Sequence, residues 1–144
     1  MEEQNFANHG RIVPAFHMFV LGTFLINFLY AAYRLVRSGF SLGAIVSLLV
    51  AAALLVFAVY ARLFALTVQD RVIRLEERLR FERLLPGDLK PRIGEFTVDQ
   101  LIALRFAGDA ELPALARKVL DEKLADRKAI KQLVKNWKPD HLRA

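Results

Sequence analysis

The sequence predicts an all-α membrane protein: an antiparallel hairpin of two transmembrane helices, the second extended into the cytoplasm, followed by a tail of about three short helices. Two uncharged apolar runs of spanning length lie close together in the first half of the chain. Charge is segregated from them, since residues 62–144 hold 18 of the 21 basic and 13 of the 15 acidic side chains. That segregation reconciles 55% hydrophobic residues and a mean hydropathy of +0.29 with 25% charged residues.

The elements follow in order. Ile12 to Tyr33 carries no formal charge over 22 residues, and a rise of about 1.5 Å per residue lets such a helix cross a hydrocarbon core of roughly 30 Å. A second uncharged run ends at Ala61, which places the spans at about 12–33 and 40–61 within a hairpin unit of residues 1–66. Each run is longer than a signal-peptide core, and Glu2 and Glu3 stand where a signal peptide is basic, so no cleavage is expected. The short linker around Arg34, Arg37 and Gly39 makes the two helices antiparallel neighbours. Arg11, Arg62, Arg71, Arg74 and Arg78 flank the other ends and outnumber the two loop arginines, which puts both termini in the cytoplasm.

Helices in lipid join through close packing of small residues and through interhelical hydrogen bonds. Gly43, Ser47 and Ala51 recur every four residues in the second span. A reversal near Arg37 and Ser38 sets residues whose numbers sum to about 75 at equal depth, and so places Asn27 opposite Ser47. Asn27, Ser47, Gly43 and Ala51 are therefore read as a packing clasp, with Thr23 in reach. An ion or substrate ligand at Asn27 would need further polar groups that neither span supplies. His17, preceded by His9, sits at the cytoplasmic entrance of the first span, where it reads as an interfacial side chain. The second span offers no His, Cys or carboxylate as a second ligand, so no metal or haem site is expected.

No Pro or Gly interrupts Ala44 to Leu85, so the second span continues as a juxtamembrane helix over residues 67–85. Val68, Val72, Leu75 and Leu79 fall at heptad spacing there, either as a seam for a second chain or as a stripe on which the tail folds back. The i,i+4 pairs Asp70/Arg74 and Glu76/Arg80 would support this helix. Pro86 and Gly87 end it, and residues 86–96 form a connector.

The helical tail occupies residues 97–144. Thr97 and Gln100 make a capping box for a helix to Ala107, and Gly108 stops it. Asp109 opens a helix with Leu112, Leu115, Ala116, Val119 and Leu120 on one face. A last helix from Asp126 to about Trp137 sets Ile130, Leu133, Val134 and Trp137 against Arg127, Lys128, Lys131 and Lys135. Its apolar side calls for docking into the tail core, and the four cations are candidates for contact with an anionic leaflet. Nucleic acid is the disfavoured partner, because Asp121, Glu122 and Asp126 adjoin the basic patch.

At FTVDQLIALRFAGDAELPALARKVLDEKL and AIKQLVKNWKPDH, and at HMFVLGTFLINFLYAAYRL and QDRVIRLEERLRF, the chain resembles a family of small bacterial membrane proteins classed as a domain of unknown function. The likeness spans nearly the whole chain and implies the two-span architecture and a bacterial cytoplasmic (inner) membrane. It implies no activity and no functional residues.

The residues carry no catalytic, cofactor or metal constellation, and the only tail histidine, His141, lies in the terminal segment. The expected role is therefore a membrane-anchored structural or interaction protein: an accessory subunit, assembly factor or adaptor. Its partners would be the bilayer and either another protein or a second copy, met through the juxtamembrane helix and tail. The rival is a small oligomeric transport or channel component. It would need a polar stripe, for which His17, Thr23, Asn27 and Ser47 are the candidates.

Overall fold

The structure is a computed structural model and describes residues 4–8, 10 and 12–140. It is all-helical; among the described residues the only β-type pairing is an isolated bridge between Ala107 and Trp137. The helices are α1 (Leu21–Arg37), α2 (Leu42–Leu84), α3 (Val98–Leu104), α4 (Leu112–Asp121) and α5 (Arg127–Leu133). A π-helical stretch, Ala15–Val20, leads into α1, with Pro14 at its start where a missing N–H costs least. Two compact units result, one of residues 11–66 and one of residues 1–10 with 67–144. The α2 helix contributes to both.

In the first unit, Ala15–Arg37 and Leu42–Leu84 are both long and apolar enough to cross a membrane. Residues 38–41 join them, with Gly39 and Phe40 at φ 60° and 63°. Gly39 adopts this left-handed conformation without a Cβ penalty, whereas Phe40 is strained by it. Each helix has one covered stripe. On α1 it comprises Phe24, Phe28, Ala31 and Leu35; on α2 it comprises Ala44, Leu48, Ala51, Leu55 and Ala58. The small residues are covered most fully, with Ala31, Ala44, Ala51 and Ala58 all buried. Large apolar side chains occupy the rest of the circumference and are exposed.

The second unit is a small helical domain built on the outer part of α2. Phe81 and Leu85 of that helix join Leu89, Ile93, Phe96, Leu101, Leu104, Leu112, Val119 and Ile130 in one core. Phe81 meets Phe96 edge to face, with centroids 5.0 Å apart. The connector is more regular than its Pro and Gly content suggests, because residues Lys90–Glu95 form a 3-10 helix that buries Ile93. Thr97 caps α3 as expected: its hydroxyl accepts the Gln100 N–H at 3.2 Å, and the Gln100 side chain accepts the Thr97 N–H at 2.8 Å. All five residues of the expected α4 stripe are buried.

Three boundaries in the tail differ from expectation, the first being that of α3, which ends at Leu104 and not at Ala107. The α4 helix begins at Leu112 and not at Asp109, with Pro113 in its first turn. The α5 helix stops at Leu133. Asp126 caps it by accepting the Ala129 N–H at 2.9 Å, and Val134 is already extended. Trp137 is therefore not helical; it pairs with Ala107 and packs against Phe106 with the rings tilted at 36° and their centroids 4.9 Å apart.

Candidate functional site

The densest polar constellation in the tail centres on Arg80 of α2, whose guanidinium is buried. It donates from Nε and Nη2 to Asp109 Oδ1 at 2.9 and 2.6 Å, and from Nη2 to the Ala107 carbonyl at 2.6 Å. From Nη1 it donates to the Arg105 carbonyl at 3.3 Å and to Glu77 Oε2 at 3.2 Å. One planar fork thus satisfies the end of α3, the turn before α4 and a carboxylate of its own helix, which a point-charge lysine could not do. The Glu76/Arg80 pair read from spacing gives way to Glu77, because Glu77 shares the inward face of α2 while Glu76 is exposed. Asp70 likewise meets Arg127 at 3.9 Å instead of Arg74.

The electrostatics follow from this geometry. Burial raises the Glu77 carboxyl above its usual range, and the charge and hydrogen bond of Arg80 only partly offset that. The hydrogen bond from Arg80 holds Asp109 below its usual range. Arg105 is also buried; it lies 4.6 Å over the Phe106 ring and 3.3 Å from Asp140 Oδ2.

Beside the Arg80 cluster the C-terminal segment is laced to the turn before α4. Gly108 N–H donates to the Asn136 carbonyl at 2.8 Å, and Lys138 N–H to the Phe106 carbonyl at 2.7 Å. Glu111 accepts the N–H groups of Asn136 and Lys135 at 3.0 and 3.2 Å. A Cβ on Gly108 would stand 3.2 Å from the Asn136 oxygen, close enough that the Asn136 backbone would have to give by a few tenths of an ångström. An open cavity of about 830 Å³ adjoins it, lined by Asn5, Asp109, Lys135, Asn136, Trp137 and Lys138 among others. Amides, one carboxylate and two lysines around an open hollow suit binding of a polar surface. No nucleophile with an adjacent base lines it, and no three His, Cys, Asp or Glu side chains group as metal ligands among the described residues.

The residues singled out from sequence are distributed differently. Of the clasp, Ala51 is buried, whereas Asn27, Ser47 and Gly43 are exposed. The Ser47 hydroxyl donates to the Gly43 carbonyl of its own helix at 2.8 Å, and Asn27 has no hydrogen-bond partner among the described residues. The expected Asn27–Ser47 bond is not formed, because the covered stripe of α1 passes through Phe28, one residue round the helix. His17 contacts the Val13 carbonyl through Nδ1 at 3.0 Å. The four cations expected on one helix do not act as one patch, and Lys135 lies beyond the end of α5. Arg127 pairs with Asp99 and Asp70, and Lys131 lies 5.2 Å over the Phe106 ring. Lys128 and Lys135 point to solvent. Glu2, Glu3, His9, Arg11 and His141 lie outside the described residues.

A family of unknown function, DUF6526, matches residues 1–144. The chain belongs to that family. No curated protein and no solved structure matches it. The DUF6526 match covers both long apolar helices and the tail, and the Arg80 cluster and the Gly108–Glu111 lacing rest on this chain's own geometry alone.

Proposed function

We propose that this DUF6526 protein is a membrane-anchored interaction protein: a two-span hairpin in a bacterial cytoplasmic membrane that carries a folded cytoplasmic tail as its working part, in the manner of an accessory subunit, assembly factor or adaptor. The observation that carries the reading is the exposure of the spanning helices. Of the most apolar 18 residues in each, only 6% and 17% are buried. A core helix of a water-soluble protein would be mostly covered.

Twenty-two large apolar side chains between Ile12 and Phe64 stand exposed. Moving one from water into an apolar medium gains roughly 1.5–3 kcal/mol, so the set represents some tens of kcal/mol that a bilayer would recover and water would not. The covered stripes support an antiparallel hairpin, since Ala31 with Ala44 and Phe24 with Ala51 sum to 75, and alanines allow close approach of backbones. The tail supports the interaction role: it buries its own core and presents polar hollows instead of a reaction centre.

Fractionation of cells expressing the full chain tests the anchor. The protein is expected in the membrane pellet after an alkaline carbonate wash, and release into the supernatant would overturn the reading. Capture from mild detergent tests the role, with recovery of a stoichiometric membrane or cytoplasmic partner as the expected result.

A further inference from the structure

The tail domain packs on only one side of α2. Ile73, Glu77, Arg80, Phe81 and Leu85 are buried, whereas Val68, Val72, Leu75 and Leu79 are 61%, 48%, 61% and 65% exposed. At 100° per residue the centres of these two sets lie about 170° apart round the helix. The heptad stripe is therefore not the surface on which the tail folds. It is a second, uncovered apolar face on a helix that is already fully used on the first.

We propose that this stripe is the seam of a parallel homodimer, in which a second copy of the chain supplies the same four residues. The spacing of four, three and four residues sets Val68 and Leu75 at d positions and Val72 and Leu79 at a positions of a heptad. The two central layers, Val72 at a with Leu75 at d, have the combination that favours two strands, while the outer Val68 at d and Leu79 at a do not, so the two-strand preference rests on the central pair. The next core position is Glu82, which ends the seam.

The flanking charges select both the partner and its direction. Arg71 occupies a g position and Glu76 the e position five residues on, the offset at which g and e' meet across a parallel dimer. Both side chains are exposed, and among the described residues neither has an ion pair within its own chain. Two symmetry-related Arg71–Glu76 pairs would bracket the Val72 and Leu75 layers. An antiparallel pairing sets g against g', which brings Arg71 toward Arg78 of the other copy. Four layers are too few to hold free peptides together, so the seam draws on the high effective concentration that a shared membrane confers. In this respect it rests on the anchored reading proposed above.

The full chain has no native cysteine, which permits single-cysteine cross-linking in reconstituted vesicles. Val72→Cys and Leu75→Cys should form disulfide-linked dimers of twice the chain mass at least about five-fold faster than Arg74→Cys, an exposed position off the seam. Glu76→Arg should slow Leu75→Cys cross-linking several-fold, and adding Arg71→Glu should restore it. Tryptophan fluorescence of Trp137 in each variant reports that the tail remains folded. Equal rates at Leu75 and Arg74, or a Leu75 adduct to a protein of another mass, would overturn the homodimer. A dominant disulfide between Val68→Cys and Leu79→Cys chains would overturn the parallel direction, as would failure of Arg71→Glu to rescue. Seam cross-linking by a protein found in the soluble fraction would keep the dimer and reject the anchor, so the two failures are distinguishable.

Discussion

Arg80 holds the end of α3 and the turn before α4 against α2, and its loss should be the most damaging single change in the tail. Arg80→Met strands the buried Glu77 carboxylate and frees the Ala107 and Arg105 carbonyls. We expect a loss of about 3 kcal/mol, the lower end for breaking a buried pair because Asp109 can turn to water, read as a lowered urea midpoint of Trp137 fluorescence in the full chain. The two carboxylates act oppositely with pH. Glu77 has a raised folded pKa, so its ionisation opposes folding: stability declines as pH rises from its ordinary 4.5 through the folded value. Glu77→Gln keeps a hydrogen-bond acceptor for Arg80 and should abolish that decline. Asp109 has a depressed folded pKa, so its contribution is complete above its ordinary 3.8 and is lost as pH falls through the folded value. Asp109→Asn should remove that acid-side loss. This cluster was not legible in the sequence. Asp109 lies 29 residues from Arg80, and the choice of Glu77 over Glu76 depends on which face of α2 the tail covers.

At the scale of elements, what could be read in advance was local. The Thr97–Gln100 box and the α4 stripe are set by residues three or four apart, and both appear as expected. The extent of α5 was not local: Trp137 leaves the helical pattern because Ala107 and Phe106 offer it a bridge and a ring. The Asn27–Ser47 bond is missing for a similar reason. Equal depth brings Asn27 and Ser47 level, but the phase of each helix is set by the whole stripe, and the alanines of α2 determine it. Asn27→Leu should therefore change the stability of the folded chain by less than about 0.5 kcal/mol, well under an interhelical hydrogen bond at the upper end of its range. A larger loss on denaturant titration in micelles would restore the clasp. For α5 and the segment after it, Lys128→Gln with Lys135→Gln should reduce binding of the full chain's tail face to anionic vesicles without unfolding it. Arg127→Gln with Lys131→Gln should instead lower stability modestly, by about 0.5–1 kcal/mol, since these two are engaged internally. Equal effects of the two pairs on vesicle co-sedimentation and on the urea midpoint would contradict this division.

For the whole molecule, the proposed arrangement of a lipid-covered hairpin with a folded tail on the cytoplasmic side joins three observations. Two helices long and apolar enough to cross a membrane expose their apolar surface, the tail buries its own, and basic residues crowd the tail side of the second. The most direct test uses single cysteines at Ser38, in the linker between the spans, and at Lys128, exposed on α5. With a membrane-impermeant thiol reagent on intact cells, Ser38→Cys should label and Lys128→Cys should label only after permeabilisation. Labelling of both from outside, or of both only after permeabilisation, would contradict the account.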